Sequence, residues 1–346
     1  MNIALTGGGT AGHIMPNIAL AEALGTYFDK IIYLGSRQSM EESICREQNL
    51  PYYPTETIKF DRKKLWRNIA IPLSLSRGKR EAKRILIEEG IDIVFSKGGY
   101  ASLPAVLAAR SLSIPVVCHE SDRTLGLANR VAARFAERIY TAFPNTDKRG
   151  IRMPTPIRSK IFKGEKMHLF DNAKPIVLFM GGSLGAKTIN DALSACLADL
   201  TARYNILHIG GKGTTPMKTT SYVSVPYAED IENYFATADV VVSRGGASTL
   251  GELTALRKKT LVIPLPKGTS RGDQVLNAAY YLKDGSVSVL PQEALTTDSL
   301  LESIACTIKK RPPAPTYTRE IPSILARELC EIAKSKNRRE REDRKK

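Results

Sequence analysis

Twice in this chain an apolar run that reads as a buried strand ends in glycines and passes straight into a helical pattern. The first is Ile3-Ala-Leu-Thr-Gly-Gly-Gly-Thr-Ala-Gly-His13, the second Ile176-Val-Leu-Phe-Met-Gly-Gly-Ser-Leu-Gly-Ala-Lys187. Beyond the first turn, Ile14, Ile18, Ala19 and Leu24 recur at helical spacing. A strand that ends where a helix begins brings backbone amides and the positive end of the helix dipole to one spot. Glycines keep side chains out of the way of an anion there. The device belongs to parallel sheets in which each strand feeds a helix.

The rest of the chain repeats the alternation. Apolar runs at Asn2–Leu5, Ile31–Leu34, Ile91–Phe95, Val116–Cys118 and Ile139–Thr141 are separated by stretches long enough for helices. Met153-Pro-Thr-Pro156 then reads as a linker. The pattern restarts at Ile176–Met180, Ile206–Ile209, Tyr222–Val225, Val240–Ser243, Leu261–Ile263 and Val287–Leu290. Prolines at 312–315 break it again, and an amphipathic helix begins near Arg319. The expectation is an α/β protein of two Rossmann-like domains facing a cleft, with ligands at the C-terminal ends of the strands.

Length and charge narrow the partners. At 346 residues there is enough chain for two cores. No apolar run approaches the roughly 18 residues of a membrane span, and residues 1–5 read as a first strand rather than a signal peptide. Five scattered cysteines without a C-x-x-C read as reduced thiols. The net charge of +16 is concentrated: residues 59–84 carry +8 and residues 334–346 carry +5. Such clusters suit a polyanionic surface. In the first, Leu65, Trp66 and the run Ile69–Leu75 lie among the cations. An anionic membrane uses both kinds of group, whereas nucleic acid gives no reason for the apolar ones. Pro72 argues for a helix and a loop in this segment rather than one continuous helix.

Each candidate site has a structural alternative. Gly7, Gly9 and Gly12 fit the dinucleotide spacing, and Arg37 after the second strand would suit a 2′-phosphate. A redox cofactor leaves the second glycine turn unexplained, however, so no cofactor is expected. Thr249-x-x-Glu252 has the spacing of a capping box, or Glu252 accepts both hydroxyls of a ribose from one turn into a helix. Asp273 or Gln274 either caps the following helix or reaches a sugar hydroxyl. His13 is either a histidine bonded to nearby backbone or a general base beside the first turn. No D-x-D and no cluster with metal-ligand spacing occurs in the sequence, so metal-free chemistry is expected.

Six ordered stretches, TGGGTAGHIMPNIALAEAL, SKGGYASLPAVLAA, IPVVCHESD, TPIR, MGGSLGAKTIN and DVVVSRGGASTLGELTAL, together resemble the MurG family. These are the UDP-N-acetylglucosamine:undecaprenyl-diphospho-N-acetylmuramoyl-pentapeptide N-acetylglucosaminyltransferases of bacterial cell-wall synthesis. The resemblance spans residues 1 to about 330. It implies a B-type glycosyltransferase fold, with an acceptor-binding, membrane-facing domain over residues 1–157 and a UDP-sugar domain over 158–316. It also implies that a terminal helix within 317–346 crosses back to the first domain. Thr10, Ala11 and Gly12 would lie near the donor, and His13 beside the acceptor hydroxyl. Arg158 and Ser183 would contact the donor around its diphosphate, and Tyr227 and Ala228 would lie by the uracil. Ala247, Ser248 and Thr249 would lie by the phosphates, Glu252 on the ribose and Gln274 on the sugar. Asp122 and Asn129 are further candidate contacts.

Two departures from the family pattern stand out. His119-Glu120-Ser121-Asp122 replaces the common H-E-Q-N, and Asp273-Gln274 replaces H-Q or Q-Q. The implied reaction is an inverting, metal-independent transfer of N-acetylglucosamine from UDP to the 4-hydroxyl of the lipid-linked muramoyl-pentapeptide. It takes place at the cytoplasmic face of the cell membrane, with His13 as base. The competing readings are another lipid-acceptor glycosyltransferase of the same fold, a UDP-sugar 2-epimerase, which needs no basic–apolar patch, and a non-catalytic nucleotide-sugar binder.

Overall fold

The computed structural model describes residues 1–58, 65–182, 185–268, 272–314 and 317–343. The chain divides into two compact units, Met1–Arg158 with Arg319–Lys346, and Ser159–Thr318. Each has its own seven-stranded sheet.

In the first unit the strands are β1 (Asn2–Thr6), β2 (Lys30–Ser36), β3 (Tyr52–Thr55), β4 (Ile93–Ser96), β5 (Val116–Glu120), β6 (Arg138–Thr141) and β7 (Ile151–Arg152). They lie in the order β3-β2-β1-β4-β5-β6-β7, and every pairing is parallel. Such strands are covered on both faces, hence the unbroken apolar runs. Ala4, Ile32 and Val94 meet side by side on one face of the sheet. They pack with Ala82, Leu86, Val106 and Ala109 from the covering helices. Each fully buried aliphatic side chain of this kind contributes about 1.5–3 kcal/mol. Helices α1 (Ala11–Leu24), α2 (Met40–Glu47), α3 (Ile71–Glu88), α4 (Leu103–Ser111) and α5 (Leu127–Ala132) complete the unit's first stretch of chain.

Pro72 does not interrupt α3. It falls in the first turn, where its missing N–H has no helical acceptor to lose. A 3-10 turn over Leu65–Ala70 precedes the helix. The expected helix and loop are therefore a tight turn running directly into 18 helical residues. Residues 59–64 lie outside the described residues.

The second unit contains β8 (Ile176–Met180), β9 (Asn205–Ile209), β10 (Met217–Lys218), β11 (Tyr222–Val225), β12 (Val240–Ser243), β13 (Lys259–Val262) and β14 (Ser288–Val289). Their order is β10-β11-β9-β8-β12-β13-β14, and β10 alone runs antiparallel, at the edge. Its helices are α6 (Lys187–Ala195), α7 (Leu197–Arg203), α8 (Ile231–Thr237), α9 (Ala247–Ala255), α10 (Asp273–Lys283) and α11 (Thr297–Lys309). Val177, Phe179, Val240 and Val242 form the centre of its larger core with Ile189, Leu200 and Ile304.

The chain then returns to the first unit as α12 (Ile321–Asp343), which packs against α1. This explains why α1 has no polar face to speak of. With the sheet on one side and α12 on the other, Ile14, Ile18, Ala19, Leu20 and Leu24 are all buried. Arg138 and Tyr140 of β6 add polar contacts to Glu328 of the same helix.

Candidate active site

In each sheet the chain starts at a central strand, moves to one side, then crosses to the other. The reversal falls between β8 and β12 in the second unit and between β1 and β4 in the first. The helices that follow such neighbouring strands lie on opposite faces, and a crevice opens between them. The glycine turns that follow β1, β4, β8 and β12 sit at these two places.

In the second unit, β8 leads through Gly181 and Gly182 to α6, and β12 leads through Gly245 and Gly246 to α9. Close backbone contact requires the first of these turns. A Cβ on Gly181 would come within 2.2 Å of the Ala186 amide nitrogen. Ser183 lies outside the described residues. Helices α6, α9 and α10 start from Ala186, Gly246 and Gly272, and no side chain caps any of the three. By contrast, α11 carries a full capping box at Thr296 and Ser299. An uncapped N-terminus retains the amides and dipole that attract an anion.

These helix starts correct two of the structural alternatives. The cap of α9 is Gly246, so Thr249 and Glu252 stand three and six residues beyond it and form no capping box. The cap of α10 is Gly272, so neither Asp273 nor Gln274 serves as one. Gln274 has another task. Its Oε1 accepts from the amides of Gly245, at 3.2 Å, and Leu265, at 3.0 Å. The carboxamide is thereby oriented, and its NH2 is the end available to donate to a ligand. Ala247 is buried, Ser248, Thr249 and Glu252 are half-buried, and all four occupy the first two turns of α9. Tyr227, just beyond β11, is 67% exposed, while Ala228 beside it is buried.

Arg244 was not singled out in the sequence. It directly follows β12 and is buried, and its Nη1 donates to the Ile263 carbonyl at 3.0 Å and to Gln292 Oε1 at 2.8 Å. Burial pulls its pKa down, and among the described residues no carboxylate pairs with it. A buried guanidinium held by neutral acceptors adds positive potential beneath the helix starts. This place suits a diphosphate.

In the first unit the turns after β1 and β4 lie against each other. Gly8 donates to the Gly98 carbonyl at 3.3 Å, and Tyr33 donates its hydroxyl to Gly7 at 2.5 Å. Gly99 has φ 79° and ψ 159°, and a Cβ there would lie 2.1 Å from the Gly8 carbonyl oxygen. That conformation is essentially restricted to glycine. Thr10 is the cap residue of α1, yet its side chain does not cap the helix. Its hydroxyl lies 3.0 Å from His13 Nδ1 instead. With Nδ1–H donating to Thr10, Nε2 carries the lone pair. The Thr10 side chain thus holds one edge of the His13 ring. Ala11, Gly12 and His13 form the half-buried first turn of α1.

A buried polar network supports the second turn. Lys97, between β4 and Gly98, is fully buried and places Nζ 2.6 Å from both His119 Nδ1 and Ser121 Oγ. His119 Nε2 lies 3.1 Å from the Met153 carbonyl, so Nε2 carries the proton and Nδ1 accepts from the lysine. Burial pulls the Lys97 pKa down to about 7, against the opposing pull of Glu120 and Asp122. Burial and the neighbouring Lys97 keep His119 neutral, well below the usual histidine range. Glu120 accepts from the amides of Asp122 and Gly126, at 3.0 and 2.8 Å, and from Asn129 Nδ2 at 3.0 Å. Asn129 is buried and bonds the His119 carbonyl as well, so its carboxamide nitrogen is engaged inside the protein. Asp122 is half-buried at the start of that loop. Arg158, which ends the unit's first stretch of chain, is half-buried, and its Nε has no hydrogen-bond partner among the described residues. Lys97 was visible in the sequence only as a cation closing an apolar strand.

Two Rossmann-like units with glycine turns at both switch points have the architecture of the B-type glycosyltransferases. Residues 3–141 match the glycosyltransferase family 28 N-terminal domain, and residues 176–334 match the corresponding C-terminal domain. The UDP-N-acetylglucosamine--N-acetylmuramyl-(pentapeptide) pyrophosphoryl-undecaprenol N-acetylglucosamine transferase of Geobacillus thermodenitrificans is 43% identical over 318 residues, 87% of this chain and 89% of its own. The enzyme of the same name from Clostridium novyi is 39% identical, with the same coverage. The crystal structure of Acinetobacter baumannii MurG superposes with a TM-score of 0.68 at 24% identity, over 95% of this chain and 94% of that one. The chain belongs to glycosyltransferase family 28 and, within it, to this family of N-acetylglucosamine transferases.

Proposed function

We propose that the protein transfers N-acetylglucosamine from UDP-N-acetylglucosamine to the 4-hydroxyl of undecaprenyl-diphospho-N-acetylmuramoyl-pentapeptide. The likeness over 87% of the chain to relatives bearing that name carries the reading. The second unit takes the donor. Its diphosphate meets Ser183, Arg158 and the start of α9 at Ala247, Ser248 and Thr249, while Glu252 accepts the ribose hydroxyls. Gln274 donates its NH2 to the sugar, and Tyr227 and Ala228 cover the uracil. The first unit takes the acceptor, with Thr10, Ala11 and Gly12 close to the donor and Asp122 on the neighbouring loop. UDP is a good leaving group, so the protein's work is to position two substrates and stabilise charge growing on the diphosphate. His13 Nε2 takes the hydroxyl proton as the oxygen attacks the anomeric carbon. A single displacement turns an α-linked donor into a β-1,4 product. The test supplies both substrates without added metal and looks for the lipid-linked disaccharide. Its absence, or epimerised UDP-sugar in its place, overturns the reading.

The ribose assignment has its own check. Glu252→Ala should raise the donor KM and weaken UDP binding by roughly 1–3 kcal/mol, the cost of a lost partner for buried polar groups. Because Glu252 does not cap α9, the variant keeps the start of that helix. A lowered midpoint with unchanged donor affinity would assign the residue a purely structural role.

The lipid end of the acceptor calls for a membrane surface, and we place it around residues 59–84. No helix among the described residues is long and apolar enough to cross a bilayer. Ile69 is 80% exposed and Leu73 is 55% exposed, next to the outward-facing Arg77, Arg80, Lys83 and Arg84 of α3. Apolar insertion beside cations is what interfacial binding needs, each cation contributing about 1 kcal/mol near anionic lipid. Lys59 through Lys64 lie outside the described residues, as do the side chains of Leu65, Trp66 and Arg67. In flotation with anionic vesicles, the wild type should bind and detach in high salt. Changing Ile69, Leu73, Arg77 and Arg80 together to serine should weaken binding at least tenfold. Equal flotation would move the contact elsewhere, with the basic end of α12 tested next. The cytoplasmic face is the side on which a UDP-sugar is available.

A further inference from the structure

A cavity of about 360 Å³ lies off the C-terminal ends of β2 and β3 in the first unit, and nothing in the proposed mechanism uses it. Its wall includes Gly9 of the first glycine turn and Tyr100 of the second, so it adjoins the place assigned to the acceptor. Most of the remaining lining residues carry polar or charged groups. Ser36 and Thr57 face it with hydroxyls bonded to each other at 2.7 Å, and Arg37 is the cation of a lining that also holds Glu56 and Glu41, the latter accepting the Ser36 amide. Arg37 is held from one side by Glu81, 2.5 Å away, which also accepts the Glu56 amide at 2.7 Å. One ion pair occupies part of a guanidinium that has five N–H donors, and the side chain is 59% exposed. The group is therefore aimed and still able to take a second carboxylate.

Hydroxyls, a guanidinium and carboxylates set among apolar surface suit a short peptide, which brings amides, carboxylates and aliphatic side chains together. The volume lies at the small end of ligand pockets and has room for a few residues. We propose that this cavity receives the peptide borne by the acceptor, with Arg37 pairing with one of its carboxylates. The proposal rests on the acceptor identified under the proposed function.

Two acceptors separate the possibilities: the lipid diphospho-muramoyl compound with its pentapeptide, and the same compound with a methylamide in place of the peptide. Wild type should show an acceptor KM about tenfold lower with the peptide, the worth of one charge-assisted hydrogen bond. Arg37→Met should erase that preference and leave both the donor KM and the KM for the peptide-free acceptor unchanged. Thr57→Trp, which fills the cavity and removes no charge, should do the same. Equal KM for both acceptors in the wild type, or a rise for both alike in Arg37→Met, overturns the cavity assignment while the transferase reading stands. A wild type that glycosylates neither acceptor overturns the transferase reading, and this proposal with it.

Discussion

His13→Ala should lower kcat by about 10²–10⁴, the usual contribution of a positioned general base. UDP binding and donor KM should change little, because the donor contacts assigned here lie mostly on the second unit. The bond between Nδ1 and the Thr10 hydroxyl adds a graded version of the experiment. Thr10→Val keeps the shape of the cap residue and removes the hydroxyl that bonds Nδ1, so it should lower kcat less than His13→Ala does. Near-normal turnover by pure His13→Ala protein, measured with both substrates saturating, would remove His13 from the mechanism.

Gly99→Ala should be among the most damaging single-methyl changes in the first unit. The new Cβ would lie 2.1 Å from the backbone oxygen of Gly8, which no rotamer can move aside. It would also sit at φ 79° and ψ 159°, where strain alone costs about 1–3 kcal/mol. Overpacking adds a comparable amount, so a total loss of several kcal/mol is expected, together with loss of acceptor use. UDP affinity reports separately on the second unit and should persist. Gly182→Ala provides a contrast. It has positive φ but open space around its Cβ, so only the strain should register. A Gly99→Ala protein as stable as the wild type would show that the turns after β1 and β4 are not in hard contact.

The long parallel strands were legible because burial on both faces removes alternation and leaves plain apolar runs. The strands that escaped notice are at the margins. Tyr52–Thr55 contains Pro54, tolerated because β3 is an edge strand, and Ile151–Arg152 and Met217–Lys218 are too short to show a period. The glycine turns could be read directly, since few other sequences join a buried strand to a helix in so few residues. What could not be read were polar side chains that act on one another. Lys97 and His119 lie 22 residues apart and meet only because β4 and β5 are neighbours. Arg244 reaches Gln292 across 48 residues. Local spacing also misled. Thr249 and Glu252 match a capping box, but the helix starts one turn earlier than that box requires, at Gly246.

The buried amine of Lys97 makes folding itself a proton-releasing step. In the unfolded chain the ammonium keeps its ordinary pKa of 10.5, and in the folded protein it titrates at about 7. Between those values the unfolded state holds one more proton than the native state, so stability rises with pH. The stability linked to this group is complete above 10.5, declines as the pH falls toward 7, and is lost below that. Lys97→Met abolishes the slope. Denaturant unfolding of both proteins should therefore show the wild type gaining on the variant between pH 7 and pH 10, while a constant difference would mean that the amine stays charged inside. Acidification thus loads a cation into the layer directly beneath Gly98 and Gly99, and the firmness of the acceptor turn becomes a function of proton activity.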